Sequence, residues 1–102
     1  MCFIHVLLNA IDLHDKGRGG IIVIEGEAVK LVPEMSRPEH FLNALYRKAK
    51  ASSLIVAVCR ACSQKMGVIE AVEKEGLPLV GDMSGHPSMS GFIDKGYQIV
   101  TF

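Results

Sequence analysis

Cys59-Arg60-Ala61-Cys62 carries the densest thiol chemistry in the chain. Two cysteines three residues apart share one face of a helix. A thiolate is both a nucleophile and a soft metal ligand. Leu54-Ile55-Val56-Ala57-Val58 stands directly before the pair. That continuous apolar run is the pattern of a strand buried on both faces. Cys59 therefore falls just past the carboxyl end of a buried strand and at the amino end of a helix. In open α/β sheets, ligands and reactive groups collect at that edge. Free N–H groups at the helix start favour a thiolate. Residues 40–69 contain Arg47, Lys48, Lys50, Arg60 and Lys65 and no acidic residue, which predicts a depressed thiol pKa.

Four chemistries fit this pair. The thiols can be two small buried hydrophobes. They can form a dithiol–disulfide couple. Cys59 alone can be a nucleophile that carries a persulfide, with Cys62 as helper. Or they can hold zinc together with His86 or Asp82. Zinc sites usually announce themselves with a second spaced pair, and none is present, so no metal is expected.

Asp82-Met83-Ser84-Gly85-His86-Pro87 follows another strand end and reaches the same edge. His86 can orient a thiolate or move a proton near neutral pH. The plainer alternative makes Ser84 or His86 a cap for the next helix. Glu25-Gly26-Glu27 also follows a strand and can face the same crevice, or serve only as a turn with first-turn acids. Gly17-Arg18-Gly19-Gly20 leads into a strand rather than out of one. It lacks the Lys-Ser/Thr of a phosphate loop, which argues against a nucleotide cofactor.

The elements that must position these groups emerge from periodicity. Phe3, Leu7, Ala10 and Ile11, with Ile4 and Leu8, give a helix over residues 2–16 that is apolar nearly all round. Ile21–Ile24 reads as a buried strand, and 28–32 as a helical turn ended by Pro33. Ser36-Arg37-Pro38-Glu39 predicts a helix start that runs on through Ala49. Helical stretches come next at 59–66 and 68–75. Leu79-Val80 is a short strand, 86–95 a short helix, and 97–102 a last strand. Strands alternating with helices predict one α/β domain over residues 1–102, a three-layer α/β/α arrangement with a mostly parallel sheet of about four strands. No strand precedes the first helix, so either the sheet is short on one side or the natural start lies upstream of Met1.

Composition narrows the partners. The 102 residues carry 11 basic and 11 acidic side chains. That balance disfavours nucleic acid. No apolar run reaches the roughly 18 residues of a membrane span. The apolar start has neither a basic n-region nor a cleavage site, which predicts a cytoplasmic protein. Three cysteines is an odd count that argues against a disulfide framework.

Ile-Glu-Gly-Glu-Ala-Val-Lys-Leu at 24–31, Val-Cys-Arg-Ala-Cys at 58–62 after an apolar strand, Gly67-Val68 and the C-terminal segment together resemble the DsrE-like (DsrE/DsrF-like) sulfur-relay family. The resemblance runs from about Leu7 to Phe102. The family's first strand, which would precede the helix at 2–16, is missing. The resemblance implies that Cys59 accepts sulfur as a persulfide and passes it to a partner protein. It implies sulfur donor and acceptor proteins as partners, and assembly as a homotrimer or hexamer. It assigns no role to Cys62, where those family members generally carry a small residue. A carrier of this kind needs no cofactor. The leading expectation is thus a cytoplasmic sulfur carrier or sulfurtransferase-like protein using Cys59, with Cys62 and His86 beside it. The alternatives are a thiol–disulfide oxidoreductase using Cys59 and Cys62, and a non-catalytic oligomeric binding module.

Overall fold

The computed structural model describes residues 3–102. Helix α1 (Phe3–Asp15) buries Phe3, Leu7, Ala10 and Ile11, the spacing expected for one helical face. Ile4, Leu8 and Leu13 stay exposed on its other side. Gly17, at a φ of 71°, turns the chain out of the helix.

Strand β1 (Ile22–Ile24) comes next and is only three residues long. A 3-10 turn (Gly26–Lys30) then runs into helix α2 (Leu31–Met35). Pro33 does not end a helical turn, as its place in the sequence suggests. It stands in the first turn of α2, where its missing N–H is one that no helix would satisfy anyway.

The helix expected to start at Ser36 begins later, as α3 (Asn43–Ala51). Ser36 closes α2 by donating its hydroxyl to the Pro33 carbonyl at 2.8 Å, so it is not free to cap a later helix. His40 Nδ1 accepts the Leu42 amide at 3.1 Å and Asn43 Nδ2 donates to the Met35 carbonyl at 2.8 Å, fixing the turns between. Phe41, by periodicity on the apolar face, is 78% exposed and stacks on His40. Tyr46 is buried and donates its hydroxyl to Glu75, which also pairs with Lys50 at 3.2 Å.

Strand β2 (Ile55–Cys59) leads directly into α4 (Arg60–Lys65), and α5 (Ile69–Lys74) begins after Gly67. Strand β3 (Leu79–Val80) and helix α6 (Met89–Asp94) complete the elements. The sheet is parallel throughout, in the order β1-β2-β3, with an irregularity between Ile22 and Val23. β2 is thus central, with Val58 beside both Ile24 and Leu79. Helix α1 packs against α3, while α4 and α5 pack with the 3-10 turn and α2. Leu7, Ile24, Val29, Met35, Val58 and Val72 lie at the centre of a single buried cluster. Each is worth roughly 1.5–3 kcal/mol relative to exposure.

The mixed α/β architecture with a parallel sheet is therefore as expected. The strand count is not, since three strands pair among the described residues rather than four. Residues 97–102, expected as the last strand, have no ladder partner. Together with residues of β1 and α1 they line a groove of about 730 Å³. No helix among the described residues is long and apolar enough to cross a membrane.

Candidate functional site

The carboxyl ends of all three strands meet at one edge, and each contributes to one cluster. Cys59 is the last residue of β2 and the N-cap of α4. Its φ and ψ of −59° and 121° are non-helical, as a cap requires, and Sγ accepts the Cys62 amide at 3.3 Å. Cys62, one turn on, brings its own Sγ to the same side.

His86 arrives from the loop after β3. Its Nδ1 lies 3.2 Å from Cys59 Sγ and 3.8 Å from Cys62 Sγ. The loop is pinned on both sides. Met83 and His86 exchange backbone hydrogen bonds of 2.8 and 2.9 Å, and the Gly85 carbonyl accepts the Ala61 amide at 2.8 Å. Gly85, at a φ of 92°, takes a conformation closed to most side chains. A Cβ there would stand 3.1 Å from the Ala61 Cβ, so the loop approaches α4 as closely as a glycine allows. The third contribution comes after β1. The Gly26 amide donates to Cys62 Sγ at 3.3 Å.

The structure thus brings together Cys59, Cys62 and His86, with their sulfur and nitrogen atoms all within 4.8 Å of one another. His86 does not cap α6. Ser88 takes that place, and Asp82 Oδ1 accepts the Ser88 amide at 3.0 Å. Asp82, the other sequence candidate for a zinc ligand, is thereby turned to the loop and is not among the clustered groups. The Gly26 amide is the one contributor whose role the sequence did not specify. Its only signal was the Glu25-Gly26-Glu27 break at a strand end.

The electrostatics depart from the expectation of a depressed Cys59 pKa. Cys59 is fully buried. Burial pushes its thiol above the ordinary value, the Cys62 side chain adds to this, and the Cys62 amide offsets only part of it. The nearby charge of Glu25 also works against the thiolate. Two of the cations counted along the sequence are engaged elsewhere, Lys48 with Asp15 at 3.6 Å and Lys50 with Glu75. Cys59 is therefore a thiol at neutral pH that needs a base to become a nucleophile. His86 Nδ1 is within reach to be that base. Cys62 is only partly buried, the more accessible thiol of the pair.

A mixed α/β protein with a Cys-x-x-Cys and a histidine gathered at the carboxyl edge of a parallel sheet is the class that fold and site define. No protein-family model matches the chain. No solved structure matches it. The chain is 35% identical over 96 residues to the uncharacterized protein MJ0733 of Methanocaldococcus jannaschii, covering 94% of this chain and 76% of that protein. A stretch of 37 residues, 36% of this chain, is 40% identical to the whole of an uncharacterized protein of Archaeoglobus fulgidus. The chain belongs to the family of the Methanocaldococcus protein.

Proposed function

We propose that the protein is a sulfur carrier of the DsrE-like kind, accepting sulfane sulfur as a persulfide on Cys59. The observation that carries this reading is the 3.2 Å approach of His86 Nδ1 to a buried cysteine at a strand-to-helix joint. His86 removes the Cys59 proton as the sulfur attacks the outer sulfur of a donor persulfide, R–S–SH. A Cys59–S–SH bond forms, the donor S–S bond breaks, and the proton leaves with the donor as R–SH. Burial keeps the loaded sulfur away from water. Cys62, nearer the surface, faces the acceptor side.

Intact-mass spectrometry after incubation with a persulfide donor tests this. The parent gains one sulfur, about 32 Da, held on the nucleophilic thiolate, and Cys59→Ala gains none. Equal uptake by Cys59→Ala overturns the reading.

The approach of both sulfurs to one ring nitrogen favours a second reading, thiol–disulfide exchange through Cys59 and Cys62. It predicts a loss of two hydrogens, abolished by either substitution, in place of the sulfur gain.

The same proposal includes a cytoplasmic setting, sulfur donor and acceptor proteins, and a homotrimer or hexamer. Exposed Ile4 and Leu8 on α1 support assembly. It also includes a fourth strand and a three-layer sheet, for which residues 97–102, lining one groove with β1, are the candidate segment.

A further inference from the structure

We infer that Cys59, Cys62 and His86 form a zinc site with three protein ligands and one open position. This goes beyond sulfur transfer, because a bound ion and a persulfide would occupy the same sulfur of Cys59 in turn. Zinc takes sulfur at about 2.3 Å and imidazole nitrogen at about 2.0–2.1 Å, so tetrahedral ligands stand roughly 3.5–3.8 Å apart. The two sulfur-to-Nδ1 separations, 3.2 and 3.8 Å, bracket that spacing, and all three ligand atoms fall within 4.8 Å. Small shifts of side chains then suffice to close on an ion.

The surroundings suit thiolate ligands. The Cys62 amide donates to Cys59 Sγ and the Gly26 amide to Cys62 Sγ, both at 3.3 Å. Such N–H groups stabilise metal-bound sulfur by spreading its charge. The ligands sit on the sheet edge and on a loop held by the Gly85–Ala61 hydrogen bond, so the cluster is preformed. The fourth candidate ligand, Asp82, is committed to the Ser88 amide. The open position therefore takes water or an external thiolate, the arrangement of a reactive rather than a structural zinc site. Binding exchanges two thiol protons for one Zn²⁺, leaving both thiolates and the neutral imidazole on the ion.

The test is a Co²⁺ titration of reduced, metal-free protein carrying Cys2→Ser, then Zn²⁺ competition. One equivalent of Co²⁺ per chain should give a thiolate-to-cobalt absorption band and the visible bands of a tetrahedral ion, and Zn²⁺ should abolish both. Cys62→Ser, at a partly exposed position, should weaken or remove the band. His86→Asn should keep a thiolate band and lose at least about tenfold in affinity, because a ligand is gone. Absence of the band with thiols verified as reduced overturns the inference. So does one ion per two chains, or a spectrum unchanged in both variants. Sulfur loading is measured separately with a chelator present, so failure of the metal site leaves the mass gain intact, and failure of sulfur loading leaves the cobalt spectrum intact.

Discussion

Gly85 donates its amide to the Gly81 carbonyl at 3.2 Å, and a methyl group on Gly81 would stand 3.1 Å from the Gly85 backbone. The two glycines close the loop that carries His86, and the closure sets where the imidazole meets the thiols. Gly85→Ala adds strain at a φ of 92° and a contact with Ala61, together costing about 1–3 kcal/mol. The expected outcome is a lower unfolding free energy in denaturant, with sulfur loading slowed more than in a surface glycine variant such as Gly96→Ala. Equal loading rates in the two variants would separate the loop from the chemistry.

Cys62 should react before Cys59. Cys59 is fully buried and its thiol is held protonated by burial, whereas Cys62 is only half-buried. Timed alkylation at neutral pH, read by peptide mapping in the presence of a chelator, should label Cys62 first. Labelling of Cys59 should accelerate as pH rises through and above the ordinary thiol range. The reverse order would contradict the burial of Cys59.

His86→Gln removes the base that a protonated thiol needs. General-base catalysis by a positioned side chain contributes typically 10²–10⁴-fold. The rate of persulfide formation on Cys59 should fall by at least about tenfold at neutral pH, with the difference from the parent shrinking at high pH, where the thiol ionises unaided. Stopped-time mass spectrometry tracks the rate.

The Tyr46–Glu75–Lys50 group ties α3 to the end of α5. Burial raises the Glu75 carboxyl, but hydrogen bonds from Tyr46 and Lys50 outweigh it and hold the group below its ordinary value. Burial, with the bond to Glu75, likewise holds the Tyr46 phenol above its usual range. A depressed carboxyl contributes stability above its unfolded pKa, and loses it as pH falls through the folded one. Tyr46→Phe should cost about 1.5–3 kcal/mol near neutral pH, the worth of a hydrogen bond to a charged group. The gap from the parent should narrow as pH falls below the ordinary carboxylate range, where the depressed carboxylate is finally neutralised. Denaturant curves at several pH values give the comparison.

Ser63 is fully buried, and its hydroxyl has no hydrogen-bond partner among the described residues. Removing an unsatisfied buried hydroxyl relieves its desolvation cost. Ser63→Ala should leave stability unchanged or raise it by up to about 1 kcal/mol. A loss beyond that range would reveal a partner for the hydroxyl.

The strand–cysteine–helix joint was legible because its signals are local. A five-residue apolar run and two thiols at helical spacing can be read without knowing the rest of the fold. His86 was only half legible. Its approach to Cys59 depends on where β3 ends and how Gly81 and Gly85 fold back, and a cap on the next helix fitted the same residues better. The thiol pKa was hidden for a related reason. Counting Lys48 and Lys50 along the chain ignores that α3 aims them at Asp15 and Glu75. The last strand was not legible because an apolar pattern makes a strand only where a partner exchanges backbone hydrogen bonds, and residues 97–102 have no ladder partner here. Ser36 has the look of a cap for α3, yet its hydroxyl finishes α2.

The site draws on residues 26, 59, 62 and 86, set at the tips of three strands of three, five and two residues. Most of the chain between those tips is helix and turn lying off that edge. Insertions or deletions there would lengthen or shorten the back of the molecule and leave the front unaltered, as surface connections generally permit. Kinship among proteins built this way is then better judged by a glycine after one short strand, a Cys-x-x-Cys after the next and a Gly-His after the third than by overall identity. A distant chain that keeps those three punctuation marks keeps the Cys59–Cys62–His86 cluster.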